Sequence, residues 1–300
     1  MSKLKKVSSD ISFLVNTAIA SAKIKKLQIE EKRGLYNLRP TLHVILSAPV
    51  GQVKSTIMEQ ISSFVKREII TESTRAGLVG SIDSKTYQMI PGAAWECRNS
   101  LLLMDEFTFG KKKEGWEVFL QLLETQRWGK RVGVFSSDQN IVEGDLYYRV
   151  SNGRVDMKTR FACIVATMKK FEFQRRQAFR AFVTRCVPYM FDLDEKDLEE
   201  VAEGIKIFNY VEVKPEEEII ISHNVYRRIM RYVKEGLSAC EVPWIKKELY
   251  LRSIGDLCRV YAVWGKNDNK LMRNVVKWKL DAQLLVGKYY YGKQIKFVEK

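Results

Sequence analysis

Residues 42–56 read Leu42-His43-Val44-Ile45-Leu46-Ser47-Ala48-Pro49-Val50-Gly51-Gln52-Val53-Lys54-Ser55-Thr56: an apolar run, a short loop and the start of a helix. The run Leu42–Ser47 predicts a strand buried on both faces. Ile57, Met58, Ile61, Phe64 and Val65 recur at helical spacing and predict a helix over Ser55–Lys66. A loop between a buried strand and a helix N-terminus points backbone amides at one spot, which suits an anion. The phosphate-loop pattern G-x-x-x-x-G-K-[ST] is met at Lys54 and Ser55. Ala48 and Val53 replace its two outer glycines, and Gly51 remains inside the loop. In this reading residues Pro49, Val50, Gly51, Gln52, Val53, Lys54, Ser55 and Thr56 cradle a triphosphate. Lys54 reaches the β- and γ-phosphates, and the Ser55 hydroxyl ligates Mg²⁺. The plain alternative is a chance turn ahead of a helix.

Working outward, Leu101-Leu102-Leu103-Met104-Asp105-Glu106 is an apolar strand ending in two acids. Buried strands seldom end in paired carboxylates, because each must be paired or solvated. This is the Walker B arrangement: Asp105 would hold Mg²⁺ and Glu106 would polarise the attacking water. A helix is expected over Trp116–Thr125 and a third buried strand over Phe161–Thr167. The polar strand end, Thr167 or Lys169, would meet the γ-phosphate side. Strands alternating with helices predict an α/β fold, a parallel sheet flanked by helices on both faces.

Asn152-Gly153, within Tyr147–Lys158, signals a hairpin with a type I′ turn. Its cations Arg149, Arg154 and Lys158 would meet nucleic-acid phosphates; otherwise it is an ordinary surface hairpin. Arg185 ends a predicted helix, and an arginine there can act across a subunit boundary as a finger, or simply face the helix dipole. Arg252 begins a helix and would point back at the nucleotide or lie solvated.

The balance of 51 Lys+Arg against 36 Asp+Glu gives +15, a field that favours polyanions. A hydrophobic fraction of 46% excludes a mainly disordered chain. No apolar run reaches a membrane-spanning length, so no membrane contact is expected, and the first residues read as an amphipathic helix of a cytoplasmic protein. Two distant histidines, His43 and His223, argue against a zinc site or a Ser-His-Asp triad, and five cysteines without a CxxC pair read as reduced and buried. Residues 1–39 carry nine Lys/Arg against three acids. The expected organisation is a basic helical segment over 1–40, the α/β core over 41–200 and a helical lid over 201–300.

Taken together, these residues resemble an AAA+ ATPase, most closely the minichromosome maintenance (MCM) helicase group and its chelatase-like relatives. Ala76-Gly77-Leu78-Val79-Gly80 resembles the family's AGLTA stretch, Gly92-Ala93-Ala94 its GAL segment, and Met104-Asp105-Glu106-Phe107 its IDEF. Val53-Lys54-Ser55 resembles its A-K-S, Arg160-Phe161 and Val165–Met168 its sensor 1 strand, and Thr184-Arg185-Cys186 stands where the family has S-R-F. The resemblance covers about residues 41–260. It implies a homo-oligomeric ring, a hexamer, with ATP and Mg²⁺ at each interface and Arg185 and Arg252 supplied by a neighbour. It also implies two pore hairpins, one between Leu78 and Ala93 and one around Asn152-Gly153. The sensor 1 asparagine aligns with Lys169, and about 40 residues leave no room for the family's N-terminal oligonucleotide-binding domain, as in a stripped motor that a mobile element would encode.

Three functions follow as expectations. The first is an ATP-driven translocase or helicase on DNA, served by a protein loader or initiator. The second is a protein remodeller of the MoxR/chelatase type. The third is a nucleotide-binding assembly factor with little turnover.

Overall fold

The computed structural model describes residues 2–65, 74–83, 85, 86, 88–105, 113–131, 138–168, 177–265 and 269–291. The chain begins with α1 (Lys3–Ser21), β1 (Lys26–Glu31), β2 (Gly34–Leu38), β3 (Val44–Ala48) and α2 (Lys54–Ser62). Then come α3 (Arg75–Val79), β4 (Ser81–Ile82), β5 (Met89–Ile90), α4 (Ala93–Glu96), β6 (Leu101–Met104) and α5 (Lys113–Thr125). An antiparallel stretch follows as β7 (Arg127–Arg131), β8 (Gln139–Glu143), β9 (Leu146–Ser151) and β10 (Arg154–Lys158). The last part runs β11 (Ala162–Met168), α6 (Gln177–Arg185), β12 (Val187–Met190), α7 (Glu195–Ala202), β13 (Glu218–Ile221), α8 (His223–Gly236), α9 (Pro243–Trp264) and α10 (Asn269–Tyr291).

The fold is α/β. Its central sheet is four parallel strands in the order β12-β3-β11-β6. Both faces are buried, and side chains alternate between them. Val44, Leu46, Leu101, Leu103, Ile164 and Ala166 join the core under α1, α2, α9 and α10. Ile45, Leu102, Met104, Cys163 and Val165 join a second core under α3, α4, α5 and α6. That is why the strands read as unbroken apolar runs. All five cysteines are buried and unpaired, and no described helix is long and apolar enough to cross a membrane.

Two expectations need correction. The helix expected up to residue 40 stops at Ser21, whose hydroxyl donates to Ala18 O at 2.8 Å and accepts the Leu42 N–H at 2.9 Å. Beyond it β1 and β2 form a hairpin, and β1 pairs in parallel with β13. The alternation Lys26-Leu27-Gln28-Ile29-Glu30, with Leu27 and Ile29 buried, has strand period, and that period outweighs the density of basic residues. The region 201–300 is mainly helical, yet it also holds β13 and an irregular stretch before it, and α8, α9 and α10 share one core with α1.

The Asn152-Gly153 turn is present, with φ +50° and +68° as a type I′ turn demands. The hairpin is the centre of a four-stranded antiparallel sheet, β7-β10-β9-β8, whose inner face (Trp128, Tyr148, Val150, Val155, Met157) packs into the second core. A second, short hairpin, β4–β5, lies between Leu78 and Ala93 where one was expected. Its base is a close crossing: a Cβ on Gly92 would lie 2.5 Å from Gly80 N, and one on Gly80 would lie 2.5 Å from Ile90 O. Those glycines of the two resemblance motifs are there because two backbones touch.

Candidate functional site: two ends of one sheet

Parallel strands give the central sheet a carboxyl end and an amino end, and the sequence-predicted residues divide between them. At the carboxyl end, β3 runs into the loop 49–53, β6 runs into Asp105, and β11 lies between them. The register sets Thr167 beside Ser47, Met168 beside Ala48, and Val165 beside Met104. The loop after β3 and the acid after β6 therefore sit at one end, two strand spacings or about 10 Å apart. Thr167 stands on the strand that separates them. In open parallel sheets, ligands bind in this kind of crevice outside the carboxyl ends.

The loop is held from below. Lys54 is buried, and its ammonium donates to Ala48 O at 3.1 Å and Pro49 O at 2.6 Å. Gly51 turns the chain with φ +78°, which an L side chain resists. Val53 precedes α2 with no side-chain cap, and the first intrahelical bond is Ile57 N–H to Val53 O at 3.0 Å. The helix thus opens its first-turn amides, among them those of Ser55 and Thr56, toward the loop. Ser55, Thr56 and Val50 are exposed, whereas Gln52 is committed elsewhere. Its amide donates to Leu193 O at 2.9 Å and accepts the Leu193 N–H at 2.7 Å, which pins the segment after β12 to the loop. Its side chain is therefore a clamp, and only its backbone is left to face the loop.

Asp105 is half-buried, and its Oδ1 is buried with no hydrogen-bond partner. A buried carboxylate oxygen without a donor is costly. A carboxylate and a hydroxyl, as at Asp105 and Ser55, are oxygen donors of the kind Mg²⁺ takes. Among the described residues no group of three or more His, Cys, Asp or Glu could hold a metal. Glu106 and Lys169 lie outside the described residues.

The amino end gathers the arginines. Arg185 Nε lies 2.7 Å from Glu124 Oε2, and Arg252 Nη1 donates to both Glu124 oxygens at 2.8 and 2.9 Å. Arg39, ahead of β3, and Arg259 line the same cavity of about 340 Å³, with Asp256. Burial opposes ionisation of Glu124, but the Arg252 hydrogen bond and the charges of Arg252, Arg185 and Arg39 hold its carboxyl below the ordinary range. Burial, then the Arg259 charge, disfavours the charged Arg39 guanidinium, whose Nε is buried without an acceptor. Four guanidiniums face two carboxylates, so the cavity carries excess positive charge.

This junction is fixed from behind by Lys279 of α10, which is fully buried. Its ammonium donates to Thr184 O and Cys186 O, both at 3.0 Å, and to Asp256. Arg259 Nη1 donates to the other Asp256 oxygen at 2.7 Å, and Arg259 Nε to Arg39 O at 2.8 Å. The carbonyls on either side of Arg185 are thereby locked. Glu124, Arg39, Asp256, Arg259 and Lys279 were not singled out from the sequence. Only the Asp256–Arg259 pair, at i,i+3, leaves a local trace.

Residue 187 pairs with residue 44, so Arg185 and Arg39 precede the sheet while Lys54 follows it. A five-residue strand such as β3 spans about 16 Å. Arg252 lies in the middle of α9, not at a helix start as expected, and its guanidinium rests on Glu124 at the opposite end of the sheet from the loop of its own chain. The structure brings Arg252 and Arg185 together and keeps both apart from Lys54.

The hairpin cations lie on the outer face of the antiparallel sheet. Arg149 donates to Asn140 Oδ1 at 3.1 Å and stacks over Tyr147 at 4.5 Å; Arg154 pairs with Asp156 at 2.9 Å. Lys158 sits at the foot of the hairpin, not its tip, and pairs with Asp145 at 2.8 Å beside the buried Arg160. β7 adds two cations the sequence reading passed over: Arg131 faces Arg154 and Arg127 faces Lys158 across the strands. Like charges directly opposite each other destabilise a sheet, and here Asp156 and Asp145 offset part of that repulsion.

The chain matches no protein-family model, and no curated protein matches it.

Proposed function

We propose that the protein is a ring-forming AAA+ ATPase that moves along nucleic acid, DNA in the first instance, as a motor of MCM type in the cytoplasm. The observation that carries this reading is the division of the site between the two ends of one sheet. The loop of Lys54 and the unpartnered Asp105 oxygen share the carboxyl end. The arginines that would complete them stand at the other, beyond reach of the same chain. A second copy brings amino end to carboxyl end, and repetition of that head-to-tail contact closes a ring.

In this reading the Lys54 ammonium and the amides of residues 51–56 bind the phosphates of ATP. The Ser55 hydroxyl and Asp105 carboxylate hold Mg²⁺, which when bound neutralises charge on the β- and γ-phosphates. Glu106 takes the proton of the attacking water, and Thr167 or Lys169 orients the γ-phosphate. Arg185, with Arg252, offsets the charge that grows on a neighbour's transferring phosphate. The cross-strand pairs Arg131–Arg154 and Arg127–Lys158 grip the nucleic-acid backbone without reading bases.

The test is the ATPase rate with and without single- and double-stranded DNA, read beside the mass of the assembly. Stimulation by DNA in an oligomer supports the motor; a monomer whose turnover ignores DNA contradicts it. The local partners of Arg149, Arg154 and Lys158 favour a second reading, a protein remodeller of MoxR/chelatase type. Replacing all three with Ala separates the two: the motor loses DNA stimulation, the remodeller does not.

A further inference from the structure

On the C-terminal helices lies a basic surface that adjoins the arginine cavity, with Leu251 lining both. The outward stripe of α8 carries Arg227, Arg228, Arg231 and Lys234, all exposed and without an acidic partner among the described residues. Residues 227 and 234 are two turns apart, so the stripe extends about 10 Å along the helix. At its end the stripe meets a groove of about 720 Å³ between α8 and α9, lined by Lys234, Leu237, Pro243, Lys246, Lys247, Tyr250 and Leu251. No acid lines it. Of the nearby acids, Glu235 meets Arg273 at 3.5 Å and Glu248 pairs with Arg180, leaving Glu241 exposed at the turn before α9. Leu251 is 72% exposed although α9 is otherwise well packed.

Six exposed cations outnumber the exposed acids of this stretch, Glu235 and Glu241, and repel one another unless an anion covers them. A solvated helix face would explain the stripe, but not an apolar floor of Leu237, Pro243, Tyr250 and Leu251 ringed by three lysines. That combination is what single-stranded nucleic acid uses: cations for phosphates and an aromatic face for a base. An anionic membrane fits less well, since α8 presents no apolar residue on its outer stripe.

We propose that the α8–α9 groove is a second binding site for single-stranded nucleic acid, with Lys234, Lys246 and Lys247 on the phosphates and a base against Tyr250 and Leu251. The site needs no nucleotide and is separate from the hairpin sheet.

The test is fluorescence anisotropy of a labelled 20-nucleotide oligo(dT) with the full chain, without ATP, across a salt series. Lys234→Gln/Lys246→Gln/Lys247→Gln lowers affinity at least tenfold and reduces the slope of log K against log[salt] by about 2, at roughly 0.7 per phosphate contact. Tyr250→Ala weakens binding by about fivefold or more at unchanged slope, and Tyr250→Phe restores it. Thermal melts confirm that each variant folds. Wild-type affinity in both groove variants, with loss only in Arg149→Gln/Arg154→Gln/Lys158→Gln, overturns the groove and leaves the motor reading standing. No oligonucleotide binding by the unaltered chain overturns both. Displacement of the oligonucleotide by phosphatidylserine vesicles, but not by unlabelled oligo(dT), assigns the surface to membranes and overturns the proposal.

Discussion

The carboxyl and amino ends of the central sheet are built in opposite ways. At the carboxyl end Lys54 and Gln52 hold the loop from below, while Val50, Ser55 and Thr56 stay exposed and an Asp105 oxygen has no donor among the described residues. At the amino end all but Arg39 of the cavity's cations sit on an acid: Arg185 and Arg252 on Glu124, Arg259 and Lys279 on Asp256. One end is an open crevice, while the other is a cluster of cations held mostly by acids. Of the two acids only Asp256 is buried, and it fixes Arg259 and Lys279 where water cannot.

The largest expected effect breaks the amino end from within. Lys279→Met leaves Asp256 with Arg259 as its one counter-charge and frees the carbonyls around Arg185, so urea unfolding should register a loss of about 3 kcal/mol. An unchanged midpoint would mean that the buried network does not hold the junction. Next comes the carboxyl end. Lys54→Ala should weaken Mg-ATP binding at least 100-fold, about 2.7 kcal/mol, in calorimetry, with little change at the arginine cavity. Equal binding would remove Lys54 from the phosphate site.

Titration sharpens the contrast further. His43, just ahead of β3, is buried and accepts the Cys163 N–H at 3.1 Å on Nδ1. Burial first, then the charges of Arg39 and Arg259, hold its pKa well below 6.5. The unfolded chain binds that proton near pH 6.5 and the folded chain does not. Stability is therefore complete above pH 6.5 and falls below it by up to about 1.4 kcal/mol per pH unit. His43→Asn should flatten that slope; a slope that persists assigns it to other groups. The smallest effect is at Glu124, whose carboxyl is held low, so its contribution is lost only as pH falls below 4.5. Glu124→Gln should cost under about 1 kcal/mol, since the pair is partly exposed. Because it frees Arg185 and Arg252, it should also change ATP turnover more than stability; no change in turnover would make Glu124 a structural acid only.

The central strands were legible because both of their faces are buried, so Leu42–Ser47, Leu101–Met104 and Phe161–Thr167 stood out with errors of a residue or two at their ends. The Asn152-Gly153 turn was legible for its φ requirement. The β1–β2 hairpin was hidden by its lysines and glutamates, which mask the alternation of Leu27 and Ile29. At the site, Lys54, Ser55 and Asp105 announce themselves by motif. Glu124, Arg39 and Lys279 do not, because their partners lie far along the chain: Arg252 meets Glu124 across 128 positions and Arg259 meets Arg39 across 220. A single lysine in a helix such as α10 carries no sign of the carboxylate it will bury.

The most direct measurement mixes the two broken ends. Lys54→Ala and Arg185→Ala proteins, each inactive alone, are combined in equal amounts and assayed for ATP hydrolysis. If the sheet ends are halves of one site shared between copies, random assembly restores about a quarter of the unaltered rate. A mixture as silent as its components, although both variants assemble normally, would contradict that account.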